Sequence, residues 1–138
     1  MKVHPYLNYG GNCEEAFRFY EKHLGAKLDR MMRFGDAPGG PLPSEAWKQK
    51  ILYAHLTIGS TELSGNDVEP ERFQPMRSAY ISLSVDSNED AERVYALFSE
   101  DGDVFMPMGE NFFAHRFAML RDRFGTSWMI IHQKPMQH

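Results

Sequence analysis

The side chains best able to do chemistry in this chain are scattered histidines, one cysteine, and hydroxyls and thioethers on strand-like stretches. His4 lies in VHPYLNY, while His55 and His115 lie in the parallel phrases YAHL and FAHR. An imidazole on a strand can ligate a metal, move a proton, or satisfy a hydrogen bond in a packed interior. His132 and His138 lie near the end of the sequence and read as solvated. Cys13 precedes Glu14 and Glu15 at a helix start. A helix N-terminus lowers a thiol pKa, but neighbouring acids oppose it, so Cys13 reads as buried and inert. No GxSxG elbow is present to carry a hydrolase nucleophile. GSTELSG lacks the lysine of a phosphate-cradling loop, and the glycine pairs in YGGN and PGGP lack dinucleotide-site spacing. The other candidates are binding groups. FFAHRF offers Phe112 and Phe113 as a stacking wall and Arg116 as an anion anchor. Met31, Met106, Met119 and Met129 suit a soft apolar cavity.

The chain has 138 residues, 42% hydrophobic and 25% charged, which is the composition of an ordinary globular domain able to stabilise its own core. A net charge of −4 with no Lys/Arg run argues against nucleic acid as a partner. A single cysteine excludes an intrachain disulfide framework and a cysteine-based zinc cluster. No stretch approaches the ~18 apolar residues of a membrane helix, and MKVHPYLNYGGN lacks the apolar core of a signal peptide. The reading is a cytoplasmic protein with no membrane partner.

The elements that must position these groups occur twice. NCEEAFRFY at 12–20 and SNEDAERVY at 87–95 share Glu14/Glu89, Ala16/Ala91, Arg18/Arg93 and Tyr20/Tyr95. Asn12 with Glu15 and Ser87 with Asp90 read as capping boxes. The first helix carries Ala16, Phe19, Tyr20 and Leu24 on one stripe; the second carries Ala91, Val94, Tyr95 and Phe98. Gly25 and Gly102 follow the two helices as left-handed stops. Alternation before each helix turns Tyr6 and Asn8, with His4, away from it in the first half, and Tyr80 and Ser82 in the second. Three strand-like segments follow each helix, with Gly59 and Gly125 at matching hairpin turns. The prediction is one α+β domain over 1–138 made of two tandem β-α-β-β-β modules with curved, mostly antiparallel sheets. The first module spans 1–64 with an irregular insertion at 34–47, helical near Ser44–Trp47. A linker occupies 65–77 and the second module spans 78–134. This repeat contradicts a Rossmann-type methyltransferase, which needs alternating parallel strands and helices over a longer chain.

On PYLNYGGNCEEAFRFYEKHLG, KILYAHLTIG, SLSVDS and DRFGTSWMI, the sequence resembles the vicinal oxygen chelate superfamily. That superfamily includes glyoxalase I, bleomycin-resistance proteins and extradiol dioxygenases. Within it the chain looks like the PhnB-like branch, also labelled similar to 3-demethylubiquinone methyltransferase. The resemblance implies the glyoxalase/bleomycin-resistance fold and a homodimer, because relatives cover open sheet edges by pairing chains. It also implies metal-ligand positions on the first and last strands of each module. These fall on His4, on Tyr80, on Met129, and near Leu63 or on Glu62 one residue away. Neutral phenol and thioether are poor ligands for the ions these enzymes use. The expectation is therefore no metal cofactor and a small-molecule binding protein like the bleomycin-resistance relatives. Its site would combine His4, Tyr6, Asn8, Tyr80, Ser82 and Met129, with Phe113 and Arg116 at the rim and the 34–47 insertion as a lid. The alternative is a divalent-metal lyase, isomerase or dioxygenase using one ion held by His4, Glu62 and His115.

Overall fold

The computed structural model describes residues 1–37, 39–40 and 42–135; His138 lies outside them. The chain divides into two compact units, Met1–Gln74 and one from Pro75 onward. Each is built as β-α-β-β-β. The first contains β1 (Tyr6–Tyr9), α1 (Cys13–Leu24), β2 (Lys27–Arg33), β3 (Ile51–Ile58) and β4 (Thr61–Asp67). The second contains β5 (Ile81–Ser84), α2 (Asn88–Ser99), β6 (Asp103–Gly109), β7 (Ala114–Arg121) and β8 (Ser127–Gln133). Each unit has a four-stranded sheet, ordered β1-β4-β3-β2 in the first and β5-β8-β7-β6 in the second. The strand preceding each helix pairs parallel with the last strand of its unit, and the other ladders are antiparallel.

The helices start and stop differently from the sequence expectation. Ser87 Oγ does accept from the Asp90 amide at 3.0 Å, as a capping box requires. Asn12 makes no such side-chain cap. Its place is taken by Asp67 at the end of β4, whose Oδ1 accepts from the amides of Gly11 (3.1 Å) and Cys13 (2.9 Å). Gly25 ends α1 at φ 64°, but after α2 the left-handed residue is Asp101 at φ 58°, one position before Gly102. Gly102 serves a different need: a Cβ there would lie 2.5 Å from the Arg121 carbonyl oxygen.

The buried stripe of α1 is Cys13, Ala16, Phe17 and Tyr20, spaced i, i+3, i+4, i+7. Phe17, not Phe19, enters the core; Phe19 instead stacks on His23 with ring centroids 4.4 Å apart. Phe17 reaches the sheet where Gly65 leaves room, since a Cβ there would sit 3.0 Å from its Cζ and 2.9 Å from the Leu7 carbonyl oxygen. Gly65, Asn66 and Asp67 are thus strand residues and not linker, held by parallel pairing to Leu7, Asn8 and Tyr9. In the second unit Ala91, Val94 and Phe98 are buried, and the Phe98 ring lies 4.9 Å from that of Trp128. Trp128 also donates to Asp122 Oδ2 at 2.9 Å, so its one polar atom is satisfied in the core.

The insertion contains two 3₁₀ turns, Phe34–Asp36 and Glu45–Trp47, the second where a helical turn was expected. Its ends are tied by Phe34 N donating to Lys50 O (2.9 Å) and Gly35 N to Lys48 O (3.0 Å). Phe34 packs against Trp47, which sits over Gly11 at the start of α1. Both ends are therefore anchored on the helix side of the first sheet.

Candidate functional site

Residues opposed across a β-ladder point to the same face, so register shows what each sheet presents away from its helix. In the second unit, Trp128, Leu120, Ile130 and Ala118 form the buried face under α2. The opposite face carries three rows. The first runs Ser127, Arg121, Asp103. The second runs Ser82, Met129, Met119, Met106 across all four strands. The third runs Ser84, Ile131, Phe117, Gly109. Adjacent strands are about 4.8 Å apart, so the three thioethers of the middle row form a continuous soft surface.

A pocket of about 260 Å³ opens at the first row. Tyr80, Phe105, Arg121 and Ser127 line it together with residues 76–78. Tyr80 and Phe105 meet edge to face at 6.4 Å. The Arg121 guanidinium lies 5.5 Å from the Phe105 ring centroid and donates to the Met76 carbonyl oxygen at 3.1 Å. Tyr80, Ser82 and Met129 thus share one face of one unit. At its other end Phe113 packs on Phe117, with centroids 5.2 Å apart, and is held by Asn111 Oδ1 accepting from its amide at 3.0 Å.

Arg116 does not join this set. It pairs with His132 across the ladder, and its Nε donates to Glu92 on α2 at 3.0 Å, so it serves the helix-covered face. The alternation of β7 counted back from Met119 already demands this. His115 sits at a register shift in β7 and packs on His132 at 4.9 Å.

In the first unit the open face carries Tyr6, Ser64, His55 and Arg30 as one row, with Asn8 opposite Asn66 in another. Tyr6 is 52% exposed. Burial raises its phenol pKa, with smaller contributions from Cys13 and Tyr53. His4 Nε2 lies 3.2 Å from Ser64 Oγ, and its ring meets His55 edge to face at 6.2 Å. Glu62 takes the open face and Leu63 is buried, which settles the ambiguous register of the last strand.

His55, which the expected site leaves out, stands between two carboxylates on this face. Asp29 Oδ2 stands 3.0 Å from Nδ1 and Glu62 Oε1 stands 2.8 Å from Nε2. Glu62 also pairs with Lys2, which together with His55 lowers its pKa. Thr57, then His55, lower that of Asp29. The alternation in ILYAHLTI puts His55 opposite Ala54 and Leu56, and so signals a polar-facing histidine. Its meeting with Asp29 could not be found that way, because Asp29 lies at a register shift in β2.

The fit of a metal can be tested on these donors. Within the first unit His4 and Glu62 are the candidate pair, and Glu62 is already engaged by Lys2 and His55. Among the described residues no three His, Cys, Asp or Glu side chains are arranged to hold an ion. The superfamily pattern draws His4 and Glu62 from the first unit and His115 from the second.

A second cavity of about 260 Å³ opens at the α1 N-terminus between Glu14, Arg33, Lys50 and Asp67. Its charged side chains are already engaged. Arg33 forks onto Glu14 with two 2.8 Å bonds, and this contact is the main cause of the low Glu14 pKa of about 2. Lys50 donates to the Gly11 carbonyl oxygen at 2.8 Å. Burial, then Asp67 and Glu14, push the Cys13 thiol pKa far up, so the thiolate needed for reactivity is withheld.

Comparison with known proteins agrees with this architecture. YjdN of Escherichia coli K12 is 28% identical over 151 residues, covering 99% of this chain and all of that protein. The crystal structure of PA1353 from Pseudomonas aeruginosa is 41% identical, covers 98% of this chain and 99% of its own, and superposes with a TM-score of 0.87. The PhnB protein from Bacillus cereus shares the fold at 22% identity and a TM-score of 0.81, over 96% of this chain and 99% of its own. No helix among the described residues is long and apolar enough to cross a membrane. The model of the glyoxalase/bleomycin resistance protein/dioxygenase superfamily matches residues 2–130, and the chain belongs to that family.

Proposed function

We propose that the chain is a small-molecule binding protein that takes its ligand on the open face of the second sheet and uses no catalytic metal. The observation that carries this reading is the in-register row Ser82, Met129, Met119, Met106 beside the Tyr80 pocket. Thioethers adapt their shape to an apolar body, while hydroxyls at the edge orient it. The weak donors at Tyr80 and Met129 support a site without an ion.

Two measurements test the proposal. Metal analysis of protein purified without chelator should find no stoichiometric Zn, Fe, Mn or Ni. A thermal-shift screen should find a small ligand, which at a hundred times its Kd adds about 2.7 kcal/mol to stability. Tyr80→Ala should weaken its binding, and Arg93→Ala on the exposed side of α2 should not. The metal-dependent reading draws on His4 and Glu62 sharing one open face, and it predicts a stoichiometric ion lost in His4→Ala. We also propose a homodimer, which sedimentation at micromolar concentration tests directly; a monomer there removes it.

A further inference from the structure

We infer that the ligand of the second unit is an amphipathic oxyanion, with its charged head at Arg77 and Arg121 and its apolar body on the methionine row. This rests on the binding reading just given and specifies the ligand's chemistry.

The pocket at the first row is lined by two arginines, Arg77 and Arg121, and by three hydroxyl residues, Ser78, Tyr80 and Ser127, and no carboxylate lines it. That local charge runs against the chain's net −4. Arg121 is held in place from two sides, by the Phe105 ring and by the Met76 carbonyl oxygen, which occupies only Nη1. The nearest acid, Asp103, is 3.6 Å from Nη2 with a side chain 70% exposed, a weak competitor in water. Guanidinium presents five donors in a planar fork, so donors remain for an oxyanion. Arg77 is exposed at the mouth of the same pocket. Ser78 between the pocket residues holds φ 55°, an uncommon conformation for a residue with a side chain.

The apolar part follows from register. Ser127 and Met129 are two residues apart on β8, so Arg121 and the thioether row are separated by roughly 7 Å along the strands. A head group on Arg121 therefore places the next atoms of the ligand over Met119 and Met129. Phe105 and Tyr80 supply aromatic walls at the junction. A volume of about 260 Å³ suits a single ring or short chain carrying a carboxylate or phosphoryl group.

The experiment is titration of the full chain with four probes: benzoate, phenyl phosphate, inorganic phosphate and benzyl alcohol. Calorimetry reads affinity, and amide shifts map the location. Benzoate or phenyl phosphate should bind at least about tenfold more tightly than benzyl alcohol, the scale of one charge-assisted hydrogen bond. Which of the two is tighter distinguishes a carboxylate from a phosphoryl head. Arg121→Gln should abolish that preference. Arg77→Ala, at an exposed position, should reduce it without unfolding the protein. Arg116→Ala, on the helix-covered face, should leave it intact. Benzyl alcohol binding as tightly as the anions on Ser82 and Met129 would overturn the oxyanion inference and leave the binding face standing. Inorganic phosphate equalling phenyl phosphate, with no response to Arg77→Ala, would overturn it as an adventitious ion only. Shifts from every bound probe, and from any ligand found by screening, mapping away from this face would overturn both readings.

Discussion

Replacing Asp67 should unfasten the first unit at three points. The carboxylate is 2% exposed and accepts from the amides of Gly11, Cys13 and Ile51 at 3.1, 2.9 and 2.8 Å. These donors belong to the loop before α1, to the first residue of α1 and to the first residue of β3. One side chain at the end of β4 therefore ties a helix start to two strands. Leaving a buried donor unpaired costs about 1–3 kcal/mol. Asp67→Ala orphans three, of which Cys13 and Ile51 are fully buried, and a loss of about 3–6 kcal/mol follows once incomplete additivity is allowed for. Asp67→Asn keeps an oxygen for the two Oδ1 bonds but turns an NH₂ toward the Ile51 amide. Its loss should be roughly half as large, about 2–3 kcal/mol. Urea unfolding gives the totals through the midpoint at unchanged m-value. Amide hydrogen exchange gives the location: Ile51 should lose protection in both variants, and Cys13 in Asp67→Ala far more than in Asp67→Asn. If Asp67→Asn equals the wild type within about 0.5 kcal/mol, or Ile51 keeps its protection, the three-way tie is not what holds this corner.

Three other outcomes follow from the same unit. Glu14 has its pKa lowered to about 2, chiefly by Arg33, so its contribution is present above the unfolded value near 4.3 and is lost as pH falls from there toward 2. Glu14→Gln should flatten the acid limb of the stability profile in that window and leave the neutral and alkaline limbs parallel to the wild type. Gly65→Ala should destabilise by about 1–3 kcal/mol, measured in urea, because its methyl would meet the Leu7 carbonyl oxygen and Phe17 at 2.9 and 3.0 Å. Cys13 is 0% exposed with its thiol pKa pushed up, so it should resist a thiol reagent in native protein and react at once on unfolding.

Much of the fold was legible in the chain. Helices and strands announce themselves by the periods 3.6 and 2, both of which are local. Ser87 and Asp90 could be read as a cap because their bond spans three residues. Tyr80 and Ser82 could be placed away from α2 because alternation along β5 is a property of the strand alone. The α1 stripe failed at Phe17 and Phe19 because both are large aromatics and they flank the buried Ala16–Tyr20 line on either side. Which one enters depends on the space left by Gly65 in a strand 48 positions further along.

What the sequence by itself determined is therefore the repeated β-α-β-β-β plan and the division of each strand into a helix-facing and an open side, since these follow from steric and solvation preferences acting over a few residues. Tertiary structure alone decided which distant groups meet. Asp67 took the cap that Asn12 seemed to offer, His55 acquired Asp29 and Glu62, and Arg116 turned to Glu92 instead of the pocket. The three methionines fell into one row for the same reason. Cross-strand register and the shifts in β2, β6 and β7 set these meetings, and a shift of one residue exchanges the two faces of a strand. Register is chosen by the packing of the whole sheet against its helix, a sum over contacts far apart in the chain that no local window contains.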